Sequence, residues 1–411
     1  MKILQIALGV LAAIGGFVDI GDLVFNAQAG ATFGYELIWA VLVGAVGIIV
    51  YSEMCGRVAM VAKRPVFEIV RDRMGYGSGL ATLFAGQFVN LLTCVAEVGG
   101  IAYILRYLLG FEVRPMILVA FAGLVLVLWF FPFEGLERVF GFGGLLLLVF
   151  SVAVITGPTD WGAVAHGAIP NPPQSAHGGW LIWAYFVVGV ASASLMPYEV
   201  YFFSSGAIED GWAPESESHL NKLTSIAGFG LGAFLAISVM VASALVFLKP
   251  GIDPEFLGTV PLAVGQPLGE WALIVALLGM LFAIGGAAVD ATLSGAYGMA
   301  QFFGWEWGKY RKPGEAPRFT LTWLVFVAIA ALVVATGIDP VMVTEYSVIF
   351  GVVAMPLTYL PVLAIANDHG YMGRYANGPV SRVLGWAYFA IIMLLALTAV
   401  PLLILTNMGA G

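Results

Sequence analysis

The chain has 411 residues, 61% hydrophobic and only 10% charged, with a formal net charge of −8 and a mean hydropathy of +0.96. A soluble domain carries roughly 25% charged residues, and one compact soluble core would leave an apolar excess of this size exposed. The composition describes an integral membrane protein embedded in a lipid bilayer, and so little lies outside the apolar runs that a soluble catalytic or nucleic-acid-binding domain is excluded.

In chain order the apolar runs predict eleven spans, at 3–27, 34–55, 79–109, 115–133, 139–157, 180–206, 224–248, 271–302, 319–336, 341–366 and 383–407. Each is close to or above the roughly 20 residues that cross the hydrocarbon core as helix. The third and eighth are long enough to require tilt or extension beyond it. Met1-Lys2-Ile3-Leu4 resembles the start of a signal peptide, but no small-residue cleavage pattern follows. The segment runs on through Asp19 and Asp22 and reads as the first span. Cys55 and Cys94 fall in or beside spans and read as buried free thiols. Glu53 and Arg57 have the i,i+4 spacing of an ion pair.

The connections at 157–179 and 249–270, rich in Pro, Gly and acids, predict ordered loops or partial helices. Gly141-Phe142-Gly143-Gly144 and Gly228-Phe229-Gly230-Leu231-Gly232 fit close helix packing. Pro356 and Pro361 predict a bend or break in span 10. His166, His177, His219 and His369 all fall in connections and read as solvated. The chain has no HExxH, no phosphate-binding Walker loop and no dinucleotide fingerprint, so nothing in it points to an enzyme or to hydrolysis of ATP.

With the N-terminus cytoplasmic, only Arg106, Arg114 and Lys249 lie outside, and the other fourteen of the 17 Lys and Arg lie inside. The reverse topology would invert the positive-inside bias. The reading is a multi-pass protein of the cell's inner (plasma) membrane, N-terminus cytoplasmic and C-terminus extracytoplasmic.

Two spans are interrupted alike, by Val18-Asp19-Ile20-Gly21-Asp22-Leu23 and by Leu195-Met196-Pro197-Tyr198-Glu199-Val200. Laid together they pair Asp19 with Met196 and Asp22 with Glu199. Span 1 starts inside and span 6 outside, so the pairing predicts an inverted repeat, residues 1–157 and 180–366, with an additional helix at 383–407. Carboxylates at membrane depth are expensive and must face a cavity or a partner. Unwound backbone is likewise tolerated only where protein or water surrounds it. Gly21 permits unusual dihedrals and close approach, whereas Pro197 interrupts the helical ladder.

Asp19, Asp22 and Glu199 then offer anionic oxygens and Met196 a thioether, with Ile20, Gly21, Pro197 and Tyr198 as backbone or supporting groups. Carboxylates suit Mg²⁺ and Mn²⁺, and a thioether suits later transition metals, so the mixture favours a divalent cation over an anion or a sugar. The plainer alternatives are Asp19 as a helix cap and Met196 as core filler. Glu97 and Asp290, acids among small apolar neighbours, mark a candidate proton or ion route, with a hydrogen-bonded packing contact as the alternative.

At these segments the chain resembles the NRAMP (natural resistance-associated macrophage protein) family. Its first-helix motif Asp-Pro-Gly-Asn is matched by Asp19-Ile20-Gly21-Asp22, and its sixth-helix Met-Pro-His by Met196-Pro197-Tyr198. The likeness continues through Gln28-Ala29-Gly30-Ala31-Thr32-Phe33-Gly34-Tyr35, Ala96-Glu97-Val98-Gly99, Leu293-Ser294-Gly295-Ala296-Tyr297-Gly298 and Met355-Pro356-Leu357-Thr358-Tyr359-Leu360-Pro361, nearly the whole chain. The resemblance implies an all-α LeuT-type fold, a 5+5 inverted repeat with an eleventh transmembrane helix. It implies import of Mn²⁺ or Fe²⁺ by alternating access, the metal being substrate and no cofactor being needed.

Asp19 and Met196 would be retained ligands, with Asp22 in place of the usual Asn. The tenth-helix polar position falls near Ser347-Val348, where Val348 lacks an amide and Glu345 is the candidate replacement. The family couples metal to protons through third-helix acids and ninth-helix bases. Here Cys94 stands at a usually acidic position, Glu97 remains, and no Arg or Lys follows Arg318 in span 9. A uniporter is therefore the alternative, since about 2.3 kcal/mol per charge per 100 mV already gives a divalent ion ~4.6 kcal/mol of inward drive. Mg²⁺ is the runner-up substrate. An amino-acid or organic-cation symporter and a membrane metal sensor are the remaining readings, and no residue pattern specifies an oligomer.

Overall fold

The structure, a computed structural model, describes residues 18–173, 179–252, 254 and 257–409. Among these residues every regular element is helical: α1 (Ile20–Phe33), α2 (Ile38–Ala62), α3 (Val66–Met74), α4 (Tyr76–Leu109), α5 (Val113–Phe130), α6 (Phe133–Gly144), α7 (Leu148–Thr156), α8 (Trp161–Gly167), α9 (Gly179–Ala193), α10 (Pro197–Glu209), α11 (Pro214–Phe247), α12 (Leu262–Leu268), α13 (Glu270–Phe303), α14 (Pro317–Ala335), α15 (Pro340–Ala366), α16 (His369–Met372) and α17 (Pro379–Leu405), with short 3₁₀ turns between some of them.

Ten segments among the described residues are long and apolar enough to cross a membrane, and they correspond to predicted spans 2 to 11. Of span 1, α1 is the second part, and the part up to residue 17 lies outside the described residues. Span 5 comprises α6, a 3₁₀ turn and α7, whereas span 6 comprises α9 and α10. The partial helices foreseen in the long connections are α8, capped by Asp160, and α12. His177 lies outside the described residues, and His166, His219 and His369 are exposed. Both cysteines are buried free thiols.

Of the bend or break expected in span 10, the break is absent: α15 runs continuously through Pro356 and Pro361. Pro361 deprives the carbonyl four residues back of its helical donor. That carbonyl, of Leu357, instead accepts from Thr82 Oγ1 of α4 at 3.0 Å.

Small residues let the helices close. A Cβ on Gly30 of α1 would lie 2.1 Å from the Met240 carbonyl oxygen of α11, and one on Gly143 would lie 2.1 Å from the Phe282 ring of α13. Two groups of helices result. In one, α1 and α2 pack on α11 while α9 and α10 pack on α2. In the other, α4 packs on α5, α13 and α14. The pairing is reciprocal, since span 1 meets span 7 as span 6 meets span 2, and span 3 meets span 4 as span 8 meets span 9. Between the groups α15 lies against α4, and α17 covers α15 and α9.

One carboxylate ties the groups together at one end. Glu209, the last residue of α10, accepts from the Tyr297 hydroxyl of α13, from Lys309 N at 2.8 Å and from Tyr310 N at 3.2 Å. The loop wraps the carboxylate through Gly308, whose φ of +126° side-chain-bearing residues rarely adopt. Lys309 Nζ donates to the Leu128 carbonyl in the last turn of α5.

Candidate metal site at the two broken spans

Asp19 stands in extended backbone as the N-cap of α1, with φ −88° and ψ −176°, and its Oδ1 accepts from Asp22 N at 2.9 Å. First-turn amides have no partner inside a helix, and a short carboxylate at this position supplies one. Glu97 of α4 supplies another: its Oε1 accepts from Ile20 N at 3.3 Å. Both acids also sit where the helix dipole favours negative charge. Gly21 is helical, not in the left-handed region. Its smallness serves close approach, because a Cβ there would lie 2.8 Å from Val348 Cγ2 of α15.

In span 6 the helix stops at Ala193 and resumes at Pro197, leaving Ser194, Leu195 and Met196 outside it. Met196 is extended, with φ −90° and ψ 130°, and no side chain caps α10. Pro197 occupies the first helical position, where its missing N–H costs nothing. The start of α1 and the break in span 6 face each other. Tyr198 Oη donates to Asp19 Oδ2 at 3.1 Å, and Ser194 Oγ donates to Asp22 Oδ1 at 3.2 Å. Span 10 closes a third side, with Gly351 so near that an added Cβ would lie 2.9 Å from Met196 Sδ.

Asp19, Asp22, Glu97, Met196 and Glu199 are all buried, none more than 5% exposed. Four of their carboxylate oxygens, Asp22 Oδ2, Glu97 Oε2 and both of Glu199, have no hydrogen-bond partner among the described residues. Glu199 lies within Coulombic range of Asp19, Asp22 and Asp290. Among the described residues no basic side chain offsets this charge, for Arg57, the basic residue of the buried set, is forked onto Glu53 at 2.9 Å and bonded to Asn377 at 2.7 Å. Each orphaned buried polar atom costs about 1–3 kcal/mol, more when charged. Among the described residues no three His, Cys, Asp or Glu side chains converge tightly enough to hold an ion alone. A cation here therefore also needs the Met196 sulfur and the carbonyls freed at the breaks.

The other candidates divide. Asp290, half-buried on α13, lies within Coulombic range of Tyr198 as well as Glu199. Ser347 shares a 2.7 Å hydrogen bond with Thr93 of α4, and Glu345 accepts from Tyr185 Oη of α9 at 3.1 Å. Val348 is thus the α15 side chain lying against Gly21. Cys94 Sγ lies 3.3 Å from Thr292 Oγ1, linking α4 to α13. Sequence reasoning passed over Ser194, Thr93 and Tyr185. Ser194 alone carried a signal, a small hydroxyl two residues before Met196.

The family described as natural resistance-associated macrophage protein-like (Nramp) matches residues 9–401. The divalent metal cation transporter MntH of Burkholderia ambifaria is 28% identical over 404 residues, covering 93% of this chain and 85% of that protein. MntH of Levilactobacillus brevis is 24% identical over 410 residues, covering 94% and 86%. Among solved structures, a mutant of the Eremococcus coleocola manganese transporter aligns with a TM-score of 0.76 at 19% identity over 96% of this chain and 85% of that one. A Na⁺-coupled sialic acid symporter in its substrate-bound outward-open state aligns with a TM-score of 0.62 at 13% identity over 96% and 89%. These alignments establish a shared all-helical, LeuT-type architecture.

Proposed function

The chain belongs to the natural resistance-associated macrophage protein-like family, and from that premise we propose that it imports a divalent metal cation, Mn²⁺ or Fe²⁺, by alternating access. The observation that carries the reading is the set of carboxylate oxygens on Asp22, Glu97 and Glu199 that have no donor among the described residues, around the start of α1 and the facing break in span 6. A buried, negative, under-satisfied site is what a desolvated cation would stabilise. The names of the MntH relatives support the same substrate class.

The ligands in this reading are Asp19, Asp22, Met196 and Glu199, with backbone carbonyls of the breaks. Met196 gives the site its preference for Mn²⁺ or Fe²⁺ over harder ions. Glu97 and Asp290 form the proton or ion route beside it. The five-helix repeats are 1–157 and 180–366, with 383–407 added, and the N-terminus is cytoplasmic. Reciprocal helix pairing supports the first assignment and the Lys and Arg distribution the second.

Mg²⁺ is a second reading, favoured by one observation: Val348, not a polar side chain, abuts Gly21. Such a site leaves hard carboxylates to dominate. Uptake of Mn²⁺ and Mg²⁺ into proteoliposomes at fixed voltage and pH, with Asp19→Ala as control, tests both. Metal-dependent uptake abolished by Asp19→Ala is expected, with Mn²⁺ preferred. A preference for Mg²⁺ selects the second reading. Equal flux in empty, native and substituted vesicles overturns metal transport and leaves the organic-substrate or sensor readings.

A further inference from the structure

Away from the broken spans, a cavity of about 520 Å³ opens between α2, α11 and the segment leading into α17. Its polar wall carries Arg57, Lys222 and Arg374, opposed by Glu53. Glu53 is already forked onto Arg57. Lys222 is exposed and forms no ion pair among the described residues. Arg374 is 73% exposed on its side chain and reaches Glu215 only at 3.8 Å. Two cations therefore face the cavity with weak or no neutralisation.

Apolar side chains share the lining. Ile226 of α11 and Leu384 of α17 belong to it and are 57% and 40% exposed. Val380 and Val383, 73% and 68% exposed, continue the apolar surface along α17. The cavity thus has a cationic end at the face where Lys and Arg concentrate and a greasy side along helices that the bilayer covers. Basic pockets between helices at that membrane face suit anionic lipid headgroups, each Lys or Arg adding attraction.

We propose that this cavity binds an anionic phospholipid of the cytoplasmic leaflet, its phosphate against Lys222 and Arg374 and its acyl chains along Ile226, Leu384 and Val383. Inorganic phosphate would satisfy the same cations but leave the apolar lining without an occupant. The inference depends on the membrane reading, not on the identity of the transported substrate.

Native mass spectrometry of the purified, delipidated full chain with added phosphatidylglycerol or phosphatidylcholine tests it. The expected result is preferential retention of phosphatidylglycerol, lowered roughly ten-fold or more in the Lys222→Glu, Arg374→Glu double variant. An Arg311→Glu control, at an exposed cation outside the cavity, should retain the lipid as the native chain does. The neutral pair Lys222→Gln, Arg374→Gln, which introduces no repulsion, should show an intermediate loss and covers the case in which the charge reversal fails to fold. Equal retention of the two lipids, undiminished phosphatidylglycerol in the neutral pair, or displacement of that lipid by inorganic phosphate would overturn the proposal.

Discussion

Both Glu199 oxygens are buried in the first turn of α10 without a donor among the described residues, so in the metal-free protein those residues leave this carboxylate unsatisfied. Glu199→Gln removes the charge and keeps the shape. The metal-free variant is expected to be more heat-resistant by about 1–3 kcal/mol, while Mn²⁺ uptake falls. Thermal unfolding and vesicle flux on the same preparation check the pair, and a variant that loses both stability and uptake would contradict it. Met196→Ala should lower Mn²⁺ flux by roughly ten-fold and Mg²⁺ flux far less, because a thioether discriminates by softness. Competition between the two ions in vesicles reads this directly.

At this scale the sequence was legible where a residue violated its surroundings: an acid or a Pro inside an apolar run announces itself. Ser194, Thr93 and Tyr185 did not, because hydroxyls are common on packing faces of membrane helices. Their partners are moreover 172, 254 and 160 positions away.

Among the elements, the contact between α1 and α11 is set by Gly30, which leaves no room for a methyl beside the Met240 carbonyl. Gly30→Ala forces backbones apart and should cost about 1–3 kcal/mol, seen as a lower melting temperature in detergent. Span positions were readable from hydropathy, but their ends were not. The turn at Gly34 delays α2 to Ile38, and the helix then runs to Ala62. The prolines of α15 do not break it, and Thr82, far away in sequence, supplies a donor to the carbonyl that Pro361 strands.

The loop between α13 and α14 adds a pH dependence. Burial lowers the Lys309 ammonium, despite the nearby Glu209 carboxylate, from 10.5 to about 8. Below about 8 folded and unfolded chains both hold this proton. Between about 8 and 10.5 only the unfolded chain does, so this group's contribution to stability rises with pH across that window. Relative to Lys309→Gln, the native chain should gain melting temperature from the lower to the upper end of it. A flat difference would refute the assignment.

For the whole molecule, the composition alone announced a membrane protein, and the two interrupted spans announced an inverted repeat. What the sequence withheld was which helices would pair, since the apolar faces of spans 2, 3, 7 and 8 carry no label for their partners. The reciprocal contacts supply that pairing. With Cys94 engaged by Thr292 rather than an acid at that position, uptake is expected to persist without a pH gradient and to grow with inside-negative voltage. Flux under potassium–valinomycin clamps measures this, and complete dependence on a proton gradient would contradict it.

If the two helix groups part during the proposed alternating access, the Glu209 contacts bear on how they do so. Tyr297 and the Lys309 and Tyr310 amides all converge on one carboxylate at the junction of the two helix groups. A small displacement of α10 weakens these bonds together, so partial opening gains little and full release must come at once. Such a junction behaves as a snap rather than a spring. Turnover should then be strongly temperature-dependent, with few molecules caught between the bonded and released states.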